Sequence, residues 1–160
     1  MSTIVTVNEL KTWFPIKSGV IQRTFGYVNA VDGVSFTIRR GETFGLVGES
    51  GSGKTTTGRS ILRLIQPTSG NIVFQDKDIT NAKGSEVQKL RSRMQIIFQD
   101  PYASLDPRQT VNSTLREAMK AHGKISSYEE AHGRAKQLLE VVGLSEEHVY
   151  RFRHEFSRGQ

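Results

Sequence analysis

The sequence contains no cysteine, which excludes disulfides and thiolate metal sites and fits a reducing compartment. It has no long apolar run. The longest are three residues, Ile72-Val73-Phe74 and Ile96-Ile97-Phe98, whereas a membrane-spanning helix needs about 20. The first residues, Met1-Ser2-Thr3-Ile4-Val5, lack the basic patch and apolar stretch of a secretory signal. No internal repeat or low-complexity tract is present. Charge of one sign is nowhere concentrated. The net +6 comes from 9 basic and 6 acidic residues in 1–80 and from 13 and 10 in 81–160. The densest basic stretch, Lys89-Leu90-Arg91-Ser92-Arg93, holds three cations and no aromatic, so it reads as a solvated helix end rather than a nucleic-acid patch.

What is present is a chain long enough for one ordinary globular domain. With 36% hydrophobic and 24% charged residues it can bury a core. Ser2 to Val7 alternates as a strand, and Thr12 to Phe14 continues it or forms a second. Residues 15–33 mix glycine, proline and polar residues and read as a loop or hairpin. Val34 to Ile38 predicts a strand, Arg39 to Glu42 a turn, and Thr43 to Val47 a short apolar strand. Thr55 to Gln66 has helical spacing and is stopped by Pro67-Thr68-Ser69-Gly70. Asn71 to Gln75 and Met94 to Phe98 predict two more strands.

Beyond Pro107 the pattern turns helical. Val111, Leu115, Ala118 and Met119 share a face over 111–122. Ser126-Ser127-Tyr128-Glu129 has capping-box spacing, and Ala131, Ala135, Leu138, Leu139 and Val142 form a stripe ending at Gly143.

Gly48-Glu49-Ser50-Gly51-Ser52-Gly53-Lys54-Thr55 matches the phosphate-loop pattern at every fixed position. Its context is that of the motif, an apolar strand leading in and a helix leading out. Three glycines let successive backbone N–H groups converge on one anion, and the helix N-terminus adds partial positive charge. Lys54 would reach the β- and γ-phosphates, and the Thr55 hydroxyl would ligate Mg²⁺. The neighbouring Thr56 is included in the expected ATP site. Asp76 and Asp100 each follow an apolar strand, but each is preceded by glutamine and neither is followed by a second acid. They make poor candidates for the main metal carboxylate.

Taken together, these motifs resemble the nucleotide-binding subunit of an ABC transporter. Gln99, in Ile96-Ile97-Phe98-Gln99-Asp100-Pro101, looks like the Q-loop glutamine, and Phe156-Ser157-Arg158-Gly159-Gln160 looks like the signature motif. Two longer stretches look like the dipeptide/oligopeptide importer branch: Tyr27 to Phe36 and Asp100 to Arg108. So does Arg153-His154-Glu155-Phe156-Ser157, and the similarity covers essentially the whole chain. The resemblance implies an α/β P-loop NTPase fold of the ABC ATPase type. Residues 1–100 would form antiparallel β strands plus the phosphate-loop core, and residues 101–160 a helical subdomain ending in the signature.

The resemblance also implies ATP and Mg²⁺ as cofactors, with Gln99 contacting the metal and the attacking water. Ser157, Gly159 and Gln160 would clasp the γ-phosphate of a nucleotide held by a partner's loop. Phe14 falls at the adenine-stacking position, with Trp13 and Tyr27 as competitors. The implied partners are a second ATPase subunit, two membrane permeases and, indirectly, an extracytoplasmic solute-binding protein. The chain would sit peripherally on the cytoplasmic face of the membrane, importing peptides or, as in related branches, nickel, glutathione or another small solute.

Two departures stand out. Arg158 stands where the family has glycine, and is expected to impair the clasp. The chain also stops at Gln160, before the family's metal aspartate, catalytic glutamate and switch histidine. The expectation is a truncated subunit, poorly soluble or molten, with His122, His132, His148 and His154 in surface or helix-packing roles. Three other readings remain: a module that binds ATP without hydrolysing it, another P-loop enzyme such as a small-molecule kinase, and a nucleic-acid-binding protein.

Overall fold

The computed structural model describes residues 2–19, 22–100, 104–123 and 125–157. The chain forms two compact units, 1–95 and 96–160.

The first unit is built on a four-stranded antiparallel sheet of order β2-β1-β3-β4. β1 (Thr3–Ser18) and β2 (Arg23–Arg39) make one long hairpin. Of the loop and the hairpin expected over 15–33, the structure has the hairpin. β-Branched and aromatic residues such as Thr24, Phe25, Tyr27 and Val28 favour extended backbone over a loop. β3 (Ser69–Phe74) pairs with β1 from Val5↔Phe74 to Lys11↔Ser69 and no further. β4 (Lys77–Asp78) follows through a two-residue turn in which Gln75 and Asp76 both have positive φ, 49° and 64°. Such a turn matches the twist of the strands it joins, so Asp76 serves hairpin geometry.

β1 bends at a bulge. Glu9 has φ 45°, and Ser35 Oγ both accepts from its N–H and donates to its carboxylate. Gly70 crosses the chain beside it, at φ +95°, where a Cβ would lie 2.4 Å from the Glu9 carbonyl oxygen. The core lies on the inner face of this sheet: Val5, Val7, Leu10, Val31, Ile72 and Phe74, completed by Ile79, Ala82 and Leu90. Leu90 comes from α2 (Ser85–Arg91).

α1 (Lys54–Ile61) is shorter than its periodicity predicts. Arg63 has φ 55°, and the N–H groups of Leu64 and Ile65 turn back to the Arg59 carbonyl. This is a Schellman-type stop without glycine. A buried hydrogen bond, Thr12 Oγ1 to Ser60 Oγ at 2.9 Å, fastens the helix to β1.

Residues 43–47 and 94–98, both expected as strands, form none. A strand exists only by exchanging hydrogen bonds with a neighbour, and neither segment has one among the described residues. Several of their side chains are bare, although Phe44 stacks on Phe36 and Met94 packs against the core. Val47 is 93% exposed and Ile97 is 89% exposed.

The second unit packs α3 (Val111–Ala121) against α4 (Tyr128–Val141) and the 3₁₀ turn Glu146–Tyr150. Ala135, Leu139 and Val149 are its buried centre, with Val111, Leu115, Met119 and Leu144 around them. Val142, expected in the stripe, is exposed because the helix ends just before it. The α4 cap is shifted one residue from the expected box. Ser127 Oγ accepts from the Glu130 N–H, and the Glu130 carboxylate accepts from both the N–H and hydroxyl of Ser126.

Candidate functional site

The Gly48–Thr55 loop emerges from exposed, unpaired backbone and ends in α1. Gly51 and Gly53 have φ +82° and +90°, a region that residues with a Cβ rarely enter. Gly53 also has no room for a side chain. A Cβ there would lie 2.1 Å from the Ala30 carbonyl oxygen. At Gly48 a Cβ would meet Ser52 Oγ at 2.7 Å. Gly53 is thus required by close approach to backbone, while a side chain at Gly48 would displace the Ser52 hydroxyl, and the loop's exit is pressed onto β2 at Ala30.

Lys54 folds back over the loop. Its Nζ donates to the Gly48 carbonyl at 2.8 Å, to the Glu49 carbonyl, and to Ser52 Oγ at 3.1 Å. The ammonium is held where the loop converges. Thr57 Oγ1 donates to the Gly53 carbonyl, tying the first helical turn to the loop. Thr55 is exposed and Thr56 half-buried. Ser50 and Glu49 lie on the exposed outer side of the loop.

The N-terminus of α1 is open. Gly53 is its N-cap, no side chain caps it, and its first turn has no acid. Thr110 caps α3 and Ser127 caps α4, whereas α2, like α1, starts from a glycine without a side-chain cap, with Glu86 in its first turn. An uncapped helix start leaves N–H donors and partial positive charge for an external anion.

The aromatic candidates lie on the β1–β2 hairpin. Phe14 faces Val28 in register and is 39% exposed; Trp13 is half-buried and its ring lies 6.2 Å from that of Tyr27. Gln99 and Ser157 belong to the second unit, and both are exposed. Arg158, Gly159 and Gln160 lie outside the described residues, as do Pro101, Tyr102 and Ala103. Among the described residues no group of three His, Asp or Glu gathers into a metal site.

Sequence reasoning missed Asn112, buried in α3. Its Oδ1 meets His132 Nδ1 at 3.1 Å, and His132 Nε2 meets the Tyr150 hydroxyl at 3.2 Å. His132 is thereby a helix-packing residue. An asparagine between Val111 and Ser113 carries no sequence signal for this role.

A glycine loop that feeds an open helix N-terminus beside an antiparallel sheet defines a phosphate-loop cassette. The family comparison agrees. Residues 31–160 match the ABC transporter family model, and the chain belongs to that family. It is 45% identical over 159 residues to the oligopeptide transport ATP-binding protein AppF of Bacillus subtilis (strain 168), covering 99% of this chain and 48% of the relative. It is 48% identical over 157 residues to the glutathione import ATP-binding protein GsiA of Escherichia coli (strain K12), covering 98% of this chain and 25% of the relative.

Solved structures agree in fold. The dimeric post-hydrolysis state of the ATP-binding cassette MJ0796, bound to ADP and Pi, superposes with a TM-score of 0.76 at 26% identity, over 98% of this chain and 65% of that one. For cbiO1 from Clostridium perfringens, part of the ABC transporter complex cbiONQ, the TM-score is 0.69 at 27% identity, over 100% of this chain and 58% of that one. The chain therefore spans half or less of the two curated relatives.

Proposed function

We propose that the protein is an ATP-binding subunit of an importer for peptides or a related small solute. The observation that carries this is the pairing of the open α1 N-terminus with Lys54 at the convergence of the glycine loop. ATP fits these residues. Its β- and γ-phosphates would replace the Gly48 and Glu49 carbonyls as partners of Lys54, and the loop N–H groups with those of Thr55 and Thr56 would cradle the oxygens. Mg²⁺ would neutralise phosphate charge, with the Thr55 hydroxyl and Gln99 as its protein ligands. Phe14 would stack on adenine, because its exposed ring offers a π-face and needs no hydrogen-bond match.

Hydrolysis belongs to a larger assembly. Ser157, Gly159 and Gln160 would close over ATP held by a second ATPase subunit, and Gln99 would couple that closure to two permeases. The names of the relatives, an oligopeptide transport and a glutathione import ATP-binding protein, support a peptide or glutathione cargo. An extracytoplasmic binding protein would deliver it, and the chain would sit on the cytoplasmic membrane face. No described helix is long and apolar enough to cross a membrane, which suits a peripheral subunit.

The test is a chimera in which residues 1–160 replace the matching part of a peptide or glutathione importer ATPase. Solute uptake and phosphate release that both vanish with Lys54→Ala are expected. A chimera that binds ATP but releases no phosphate would support the binding-only reading instead. Phosphate transfer to a small-molecule acceptor would support a kinase.

A further inference from the structure

Beyond Phe14, the adenine-stacking candidate, the β1–β2 hairpin has properties that nucleotide binding does not use. β3 leaves the sheet at Lys11↔Ser69, and the Trp13 N–H still donates to Thr68 Oγ1, so from Phe14 outward β1 and β2 stand as a two-stranded ribbon. Both faces of this ribbon carry exposed apolar side chains. Phe14, Ile16 and Val28 share one face by register, at 39%, 49% and 53% exposure. Tyr27, paired with Pro15 and next to Trp13, lies on the other at 57%. Phe25, the extra residue where the register shifts, is 75% exposed.

The charge is one-sided as well. No acid occurs from Leu10 to Val31, while Lys11, Lys17 and Arg23 do. Lys11 pairs with Asp32 at 3.4 Å; Lys17 and Arg23 have no ion-pair partner among the described residues. A lipid interface accommodates exposed apolar side chains flanked by cations, and its anionic headgroups complement cations that no acid offsets. The unpaired ribbon edges forbid entry into hydrocarbon, which limits insertion to headgroup depth.

We infer that this ribbon, through Ile16, Phe25 and Tyr27 with Lys17 and Arg23, docks on the surface of an anionic bilayer. The inference does not rest on the phosphate loop, and of the docking residues only Tyr27 was also a competitor for the adenine-stacking position that Phe14 is proposed to fill. Trp13 is the chain's single tryptophan and lies against Tyr27, so it reports on the ribbon and not on apolar surface elsewhere.

The experiment is Trp13 emission of the 160-residue chain titrated with phosphatidylcholine vesicles, with and without phosphatidylglycerol. A blue shift and protection from acrylamide are expected with phosphatidylglycerol only, both reversed by salt. Lys17→Glu with Arg23→Glu, two exposed positions that preserve the fold, should weaken vesicle partition at least about tenfold. Phe25→Ser with Tyr27→Ser should do the same, and Val47→Ser with Ile97→Ser should leave the shift intact. The proposal is overturned by no shift, by an equal shift without phosphatidylglycerol, or by ribbon variants that behave as wild type. A shift that grows with protein concentration in the absence of lipid overturns it in favour of edge-to-edge self-association. One that requires a second protein chain overturns it in favour of a protein partner.

Discussion

Two glycines of this chain carry opposite consequences. At Gly53 a Cβ would strike the Ala30 carbonyl, and at Gly70 it would strike the Glu9 carbonyl. Both residues have positive φ, so alanine is strained at either. Gly70→Ala should lower the stability of the first unit by about 2 kcal/mol or more, read from the urea midpoint, without altering the phosphate loop. Gly53→Ala should abolish ATP binding even under conditions where the unit remains folded, read by calorimetric titration.

Glu130 makes a separate, pH-linked prediction. The Ser126 N–H, and then its hydroxyl, hold the Glu130 carboxyl below its ordinary range. A carboxyl lowered in the folded state stabilises above its unfolded pKa, and the contribution is lost as pH falls through the folded one. Far-UV melts of the second unit should therefore show an acid-side loss that Glu130→Gln lacks. An identical acid profile in the two chains would contradict the capping role. Ser127→Ala should cost about 1 kcal/mol at neutral pH.

Residues of this kind differ in how legible they are from the chain alone. The phosphate-loop pattern was legible, because its chemistry demands fixed residue types at fixed spacing, although the strand expected to lead into it does not form among the described residues. Arg63 could not. It ends α1 from a left-handed conformation, nine-tenths buried, its Nη2 donating to the Ala82 carbonyl at 3.4 Å. An arginine inside an apolar helical pattern signals neither a helix stop nor burial.

At the scale of elements, the sheet and helices followed their local patterns, and the two strand expectations that failed did so for one physical reason. Thr43–Val47 and Met94–Phe98 have β-forming composition but no ladder among the described residues. Composition reports what a segment prefers, and a strand also requires a partner. Hydrogen exchange should show this directly. Amides of 44–47 and 96–98 should exchange almost unprotected, while those of Val5 to Val7 and Ile72 to Phe74 should be protected. The same bare surfaces, with Phe44 and Leu46 each 40% exposed or more, should bind a hydrophobic dye. Slow exchange over 44–47 in the isolated chain would show that a partner strand is already in place. The long hairpin was only partly legible, since its glycine and proline residues left loop and hairpin both open while its β-branched and aromatic residues made strand.

At the scale of the molecule, two compact units carry different parts of the proposed machine. The first holds the phosphate loop and the adenine-stacking candidate; the second holds Gln99 and Ser157. Arg158 remains the departure with the clearest test. In a chain extended to the length of its relatives, Arg158→Gly should raise ATPase activity and uptake, and unchanged values would show that arginine is tolerated there.

The central claim is that the glycine loop and Lys54 form the nucleotide site. Its most direct test is calorimetric titration of MgATP into the 160-residue chain and into Lys54→Ala. The account predicts weak, saturable binding that AMP does not compete for and that falls at least about tenfold when the ammonium is removed. No binding to either chain, or equal binding to both, would contradict it.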